Sequence, residues 1–544
     1  SGAPILANDM HLELRAPSLW YLAVLHGEAD GLHVAGLTLP GVPGVVVGHN
    51  RSLAWGFTNG MVDDTDFFVE TLSEDGRTYR DGGGWAALEV RTDTIPVRGR
   101  GPEPLEVRAT RRGPLLSDVL PGLEADLSVL WVPARVDAGT AGIAALNRAG
   151  DADAFDRAVA RFALPHQNVV AAFRSGGIAY RLGGRIPLRA GRDGALPAPG
   201  HDAGDGWTGF WPPASHPAVR DPRRGYVATA NNPQAPELGR TIGSDYAAPF
   251  RAERLVRALE VRRDWTPAAT EALQRDTFSR LADRTVARAI AAAERAGEGG
   301  AAEILRAWDR TVTNDSRAAP LFYAWFHRLR ALIAGDEFAG ETWTTFPATA
   351  MLRVLAEGDA NPWVDDVRTP VRERLAEWEE RALRDALAVT AGARWGEVHA
   401  ERHAHPLGDV RLLDRLLGLN VGPWPQDGGP HTLRPVDYRQ WANLGPGSWT
   451  PPWRSEYGPS ERFVAHVRPG GIEGRFLVPT GQSGNPFSPH YRDMSARWRA
   501  GGLEPVPLEQ EEARRRAARS LALEPPAGER AGGTPDGSRT LVPE

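Results

Sequence analysis

Two short stretches of this chain carry the residue types that acyl-transfer chemistry needs. The first, Gly48-His49-Asn50-Arg51-Ser52-Leu53-Ala54-Trp55-Gly56-Phe57-Thr58-Asn59-Gly60, reads as a turn and then a strand that ends on small and polar residues. A strand end of this kind presents backbone N–H groups to a cleft, as an oxyanion hole requires, although a plain hairpin is its commoner use. The second, Ala228-Thr229-Ala230-Asn231-Asn232-Pro233, places two carboxamides where a strand is halted by proline. An asparagine side-chain N–H stabilises a developing oxyanion without titrating, while an Asx turn before Pro233 explains the same residues structurally. Arg251, in Pro249-Phe250-Arg251-Ala252-Glu253-Arg254-Leu255, sits at the mouth of a helix. Its planar fork can orient an asparagine or a substrate carboxylate, or make a surface ion pair. In Asp63-Asp64-Thr65-Asp66, alternate carboxylates and a carbonyl suit a hard cation as well as they suit a solvated acidic turn. His11 follows Asn8-Asp9 at a strand end, a position where a lone histidine is more often structural than catalytic.

Much other chemistry is excluded by composition. The 544 residues contain no lysine and no cysteine, so all 63 cationic side chains are arginine. That removes Schiff-base and P-loop lysines, Ser-Lys dyads, thiolate nucleophiles and cysteine zinc sites. No G-x-S-x-G elbow occurs, and Gly481-Gln482-Ser483-Gly484 does not satisfy it. His399, His403 and His405 alternate with other residues outside any H-E-x-x-H frame, which argues against zinc catalysis. A net charge of −6 without a basic run speaks against nucleic acid or anionic membrane as partner. No apolar run reaches the length of a membrane span.

The elements that must position these residues follow from periodicity. Strands are expected at 19–25, 32–37, 42–47, 67–69 and 88–91, several apolar on both faces, as in a sheet covered on both sides. Asp151 is a suitable N-cap for a helix to about Arg161, and 169–173 with 178–181 form a hairpin turned at Ser175-Gly176-Gly177. From Arg251 to about Leu387 the pattern becomes helical, with Thr266-Pro267 as a cap and first position. Strand and loop signals return after Trp395 and run to Tyr491, and the tail from Pro525 has the composition of a disordered segment. The resulting division is a core, residues 1–250; a helical layer or insertion, 251–390; a return to the core sheets, 391–524; and the tail, 525–544.

Taken together, these pieces resemble the catalytic β chain of the penicillin acylase family of N-terminal nucleophile hydrolases, which includes penicillin, cephalosporin and acyl-homoserine-lactone acylases. The matching motifs occur in order: Pro4 to His11, Gly48 to Asp66, Thr110-Arg111-Arg112-Gly113-Pro114, Gln167-Asn168, Gly184-Arg185-Ile186-Pro187, Asn231-Asn232, Arg251 to Arg254, Ser483-Gly484-Asn485-Pro486 and Ser488-Pro489-His490-Tyr491. The resemblance implies an α+β, four-layer αββα fold with a helical insertion. It also implies a precursor that cuts itself to expose a serine whose own α-amine, with a pKa near ~8, serves as base. By the same resemblance Asn231 is the side-chain oxyanion donor, Asn59 or adjacent Gly60 the backbone donor, and Arg251 the residue that holds the asparagine. His11 falls where many members place a histidine beside the nucleophile. Asp63, the Thr65 carbonyl and Asp66 match the family's structural calcium loop, with Pro187 and Asp245 as further ligands. An α chain from the same precursor, a small-molecule amide substrate and a periplasmic or secreted location are implied as well; no organic cofactor is.

One departure stands at the start. The family places its nucleophilic serine about a strand and a turn before the segment matching Pro4 to His11, so Ser1 corresponds to a turn serine of the first hairpin. The expectation is a fragment lacking the nucleophile, and therefore inactive by itself. Two other readings compete with the amide hydrolase. One is a noncatalytic binding or scaffold protein that retains the fold. The other is a carbohydrate-binding all-β protein suggested by the 18 tryptophans, which leaves the ordered motifs unexplained.

Overall fold

The structure, a computed structural model, describes residues 2–521 apart from 28–30, 121, 137–140, 203–205, 236–241, 339–345, 438–449 and 456. Ser1, Trp441, Trp449 and the 525–544 tail lie outside the described residues.

Two antiparallel sheets face each other. The larger has seven strands in the spatial order Ala218–Arg220, Ile178–Gly183, Gln167–Phe173, Leu53–Asn59, Val47–Asn50, Leu32–Thr38 and Tyr21–Gly27. The smaller has four, ordered Ile5–Asn8, Arg462–Arg468, Gly471–Leu477 and Glu504–Val506. Leu6, Phe463, Ala465, Val467 and Phe476 of the smaller sheet belong to one apolar core with Val34, Val47, Trp55, Phe57 and Val169 of the larger, which also takes in Phe155, Val159 and Phe162 of the outer helical layer. Outside the larger sheet lie the helices Ala141–Asn147 and Ala152–Val159, the second capped by Asp151, whose carboxylate accepts from Ala154 N–H at 2.7 Å. Outside the smaller sheet lie Pro267–Leu273 and Ser495–Ala500, with Trp498 packed against Val464 and Leu477. The layers therefore stack as αββα, and the near-continuous apolar strands of the sequence are explained by burial on both faces.

The expected strand at 42–47 is a correction. Pro43 and Gly44, the latter at φ +91°, break the extended run, and the strand begins only at Val47. A short helix at Arg411–Leu417, in a region expected to hold strands and loops, went unread.

From Phe250 to Thr390 the described residues form seven α-helices, and all but Pro267–Leu273 contribute to a second core centred on Phe322, Tyr323, Trp325, Phe326 and Leu329 of the helix Ala318–Ala334, fourteen of whose residues are buried. Such an all-round apolar helix is stable only when surrounded. Among the described residues, no helix is long and apolar enough to cross a membrane.

Both cores contain buried histidines held neutral. Burial drives His49, stacked between Phe463 and Phe476, and His399, stacked on Trp395, down to about 4, and His431 down to about 3. Between those values and the unfolded value near ~6.5 the unfolded chain binds more protons than the folded one, so stability falls as pH falls. Each such histidine is worth on the order of 3 kcal/mol over that window. Glu461 and Glu337, both raised above the usual carboxylate value by burial, act in the opposite direction. Thermal melting across pH 7 to 4 is expected to show a steep loss of Tm below about pH 6.5; a flat profile contradicts the neutral assignment.

Candidate active site

The cleft forms where the strand Leu53–Asn59 emerges from the larger sheet. Asn8, the last residue of the first strand, bridges the two sheets: its Nδ2 donates to Phe57 O at 2.8 Å and its Oδ1 accepts from Phe57 N at 3.1 Å. Gly56 makes this approach possible, since a Cβ there would lie 2.9 Å from Cβ of Asn8.

Strand register decides which backbone N–H is offered to the cleft. Asn59 stands opposite Gln167, and Gly60 N–H donates to His166 O at 3.0 Å. In an antiparallel ladder hydrogen-bonded and non-bonded pairs alternate, so if Gly60 and His166 are bonded, Asn59 and Gln167 are not. The N–H of Asn59 thus points away from the 167–173 strand, on the side where Phe57 meets Asn8, while its C=O accepts from Asn168 Nδ2 at 3.1 Å. Of the two backbone donors left open by the sequence, Gly60 is committed to His166 and Asn59 is directed at the cleft.

Asn231 meets Asn59 from a distant part of the chain. Its Nδ2 donates to Asn59 O at 3.1 Å, its Oδ1 accepts from Arg251 Nη2 at 2.8 Å, and its own carbonyl accepts from Ala247 N–H at 3.0 Å. The backbone of Asn231 is left-handed, at φ +63°, a conformation asparagine tolerates better than most residues. The neighbouring Asn232 makes the local turn, accepting from Ala230 N–H at 3.1 Å. The two adjacent carboxamides therefore divide the work: one shapes the loop and the other reaches the cleft.

Arg251 lies in the first turn of the helix Phe250–Val261 and is partly buried. Besides Asn231 it reaches His11, with Nη1 and Nδ1 3.3 Å apart. Because a guanidinium has donors only, Nδ1 of His11 must carry a lone pair, leaving the proton on Nε2, which lies 3.5 Å from Asp9 Oδ2. Burial pushes the His11 pKa below the usual histidine value, with Asp9 pulling the other way, in agreement with a neutral ring. Burial also lowers the Arg251 pKa. The turn carrying His11 is clamped through Met10, whose N–H donates to Glu461 Oε1 at 2.9 Å and whose carbonyl accepts from Ser460 Oγ at 2.7 Å. Sequence reading missed Glu461 because no local motif marks a residue that acts across 451 positions.

His11, Asn59, Asn231 and Arg251, distant in sequence, thus form one hydrogen-bonded line. It offers an N–H pair for an oxyanion and an arginine that fixes the asparagine. Of these four, Asn59 borders a cleft of about 560 Å³ whose lining also includes Asp64, Trp131, Leu164, His166 and Asp245.

The residues expected to bind calcium are arranged differently. Asp63 and Asp66 converge, but on the guanidinium of Arg189: Nε lies 3.0 Å from each oxygen of Asp66, and Nη2 lies 2.9 Å from Asp66 Oδ1 and 2.9 Å from the Asp63 carbonyl. Thr65 begins the strand beside Asp66, Pro187 begins the strand that carries Arg189, and Asp245 stands at the cleft border. Among the described residues, no group of three or more His, Cys, Asp or Glu side chains is placed to hold a metal ion. As arranged, these side chains do not fit a hard cation, which needs about six to eight oxygen ligands.

The sequence model of the family described as Penicillin amidase matches residues 1–515. An acyl-homoserine lactone acylase, QuiP, of Pseudomonas aeruginosa is 29% identical over 94% of this chain and 65% of its own length. The penicillin acylase 2 proenzyme of a Pseudomonas species is 30% identical over 93% of this chain and 65% of its own length. This chain therefore spans about 65% of the length of these relatives. A thermostable penicillin G acylase from Alcaligenes faecalis superimposes with a TM-score of 0.71, covering 96% of this chain and 97% of that one at 20% identity, which shows the shared fold.

Proposed function

This chain belongs to the penicillin amidase family, and from that membership together with the cleft geometry we propose that it is the catalytic portion of an acylase that hydrolyses N-acyl amides through an acyl-enzyme on an N-terminal serine. The observation that carries the reading is the line from His11 through Arg251 and Asn231 to Asn59.

In this reading the serine precedes the first hairpin, as in the family's motif order, and its free α-amine takes the hydroxyl proton. A chain without lysine or cysteine is suited to that arrangement, because the base is supplied by the backbone terminus. Attack on the amide carbonyl places negative charge on its oxygen. The Asn231 Nδ2 donor and the Asn59 N–H meet that charge, with Nδ2 turning from Asn59 O to the oxyanion. Arg251 holds Oδ1 of the asparagine so that its NH2 points inward. The amine departs with the proton, and water releases the acyl group by the same route.

The amide substrates are small molecules, and the acyl-homoserine lactones named for relatives such as the Pseudomonas aeruginosa protein, with aliphatic acyl chains, are the first class to try. An α chain cut from the same precursor completes the acyl pocket, and the mature protein works in the periplasm or outside the cell. The test is release of free acid from N-acyl amides by the mature product of the full-length protein.

A further inference from the structure

We propose that Arg189 is a built-in cation: its guanidinium stands where the family resemblance puts calcium, so the loop after Asn59 is pinned without a metal. The resemblance assigns Asp63, Thr65, Asp66, Pro187 and Asp245 to that ion. In the structure the two convergent carboxylates already have a cationic partner.

Asp66 is saturated. Its oxygens face Arg189 Nε at 3.0 Å each, Oδ1 faces Nη2 at 2.9 Å, and Oδ2 accepts from Trp207 Nε1 at 2.7 Å. Asp63 contributes its carbonyl at 2.9 Å and its Oδ2 at 3.3 Å to the same Nη2. The side chain of Arg189 is 6% exposed and that of Asp66 11%, so this is an interior pair and not a surface one. Removing one partner of such a pair leaves an uncompensated buried charge.

The surrounding backbone is shaped for the guanidinium. The register of the 187–189 and 207–210 strands shifts between Leu188 and Arg189, a bulge of the kind that re-aims a side chain. Gly194, at φ +81°, crosses directly over the cluster: a Cβ there would lie 2.5 Å from Arg189 Nε, 2.7 Å from Asp66 Oδ1 and 2.8 Å from Asp63 Oδ2. A planar fork of donors matches two neighbouring carboxylates in a way that a lysine ammonium would not. Asp63 and Asp66 flank the start of the strand Thr65–Val69, only a few residues after Asn59. The tether thereby fixes the segment that follows the backbone donor of the cleft.

The experiment uses the mature full-length protein and reads metal content and melting, so its outcome is separable from hydrolytic activity. The expected result is sub-stoichiometric calcium after purification in calcium-containing buffer, and the same Tm with calcium or with chelator. Arg189→Met is expected to lower Tm by about 5 °C in chelator and to gain a calcium dependence that the unmodified protein lacks. A full equivalent of bound calcium, or a Tm that falls on chelation of the unmodified protein, overturns the proposal. So does an Arg189→Met protein that is as stable as its parent in chelator, or one that calcium fails to stabilise. If Arg189→Met does not fold, the metal content and chelator response of the unmodified protein decide by themselves.

Discussion

Replacing Asn231 with alanine in the mature enzyme is expected to lower kcat by about 10²- to 10³-fold, the usual consequence of deleting one preorganised oxyanion donor. KM should change little, since the Nδ2 donor gains most of its interaction energy only as charge develops on the carbonyl oxygen. The fold should survive: the side chain's two bonds, to Asn59 O and Arg251, lie in the cleft and not in either apolar core. A left-handed alanine at φ +63° carries a strain cost of about 1 kcal/mol, small for a protein with two cores of this size. Because the donor does not titrate, the shape of the pH–rate profile should be unchanged while its height falls. A variant with near-normal kcat removes Asn231 from the chemistry.

Arg251→Lys is the second large effect. Lysine keeps the charge but cannot span Asn231 Oδ1 and His11 Nδ1 with a rigid fork, as Arg251 does at 2.8 and 3.3 Å. Once freed, the asparagine carboxamide can turn its oxygen inward, and a misplacement of this order costs about 10²-fold in rate. In the proposed mechanism Arg251 acts through Asn231 as a positioning residue, and a double-mutant cycle distinguishes that role from a general loss of structure. Arg251→Lys in the Asn231→Ala background should cost far less than in the parent, because the group it positions is already gone. Two losses that add fully contradict the coupling.

How much of this was legible in the sequence depended on whether the signal was local. The strand pattern, the Asp151 cap and the Thr266-Pro267 helix start are set by neighbouring residues, and the structure has them: Thr266 Oγ1 accepts from Ala269 N–H at 3.2 Å. The motif order led to His11, Asn59, Asn231 and Arg251 as candidates, but choosing Asn59 over Gly60 required the pairing register with Gln167, which no linear pattern contains. The strand misplaced at 42–47 shows the opposite failure, in which apolar composition outweighed Pro43 and Gly44. Arg189 was the most consequential omission. In sequence it is one of many arginines, and its role arises because the pairing of strands 187–189 and 207–210 sets it against Asp66 and Asp63, 123 and 126 positions away.

In the proposed chemistry the acyl-enzyme forms on an N-terminal serine and is served by the Asn59 and Asn231 donors. The most direct measurement is intact mass of the mature full-length protein before and after a serine-directed sulfonyl fluoride, with the adduct mapped by peptide sequencing and hydrolysis of an N-acyl amide followed in parallel. The expected result is a processed chain that begins on serine, a single adduct on that residue, and loss of hydrolysis in proportion to labelling. An unprocessed protein that neither labels nor hydrolyses would contradict it and leave a scaffold that retains the acylase fold; an adduct on any serine other than the first residue would contradict the mechanism.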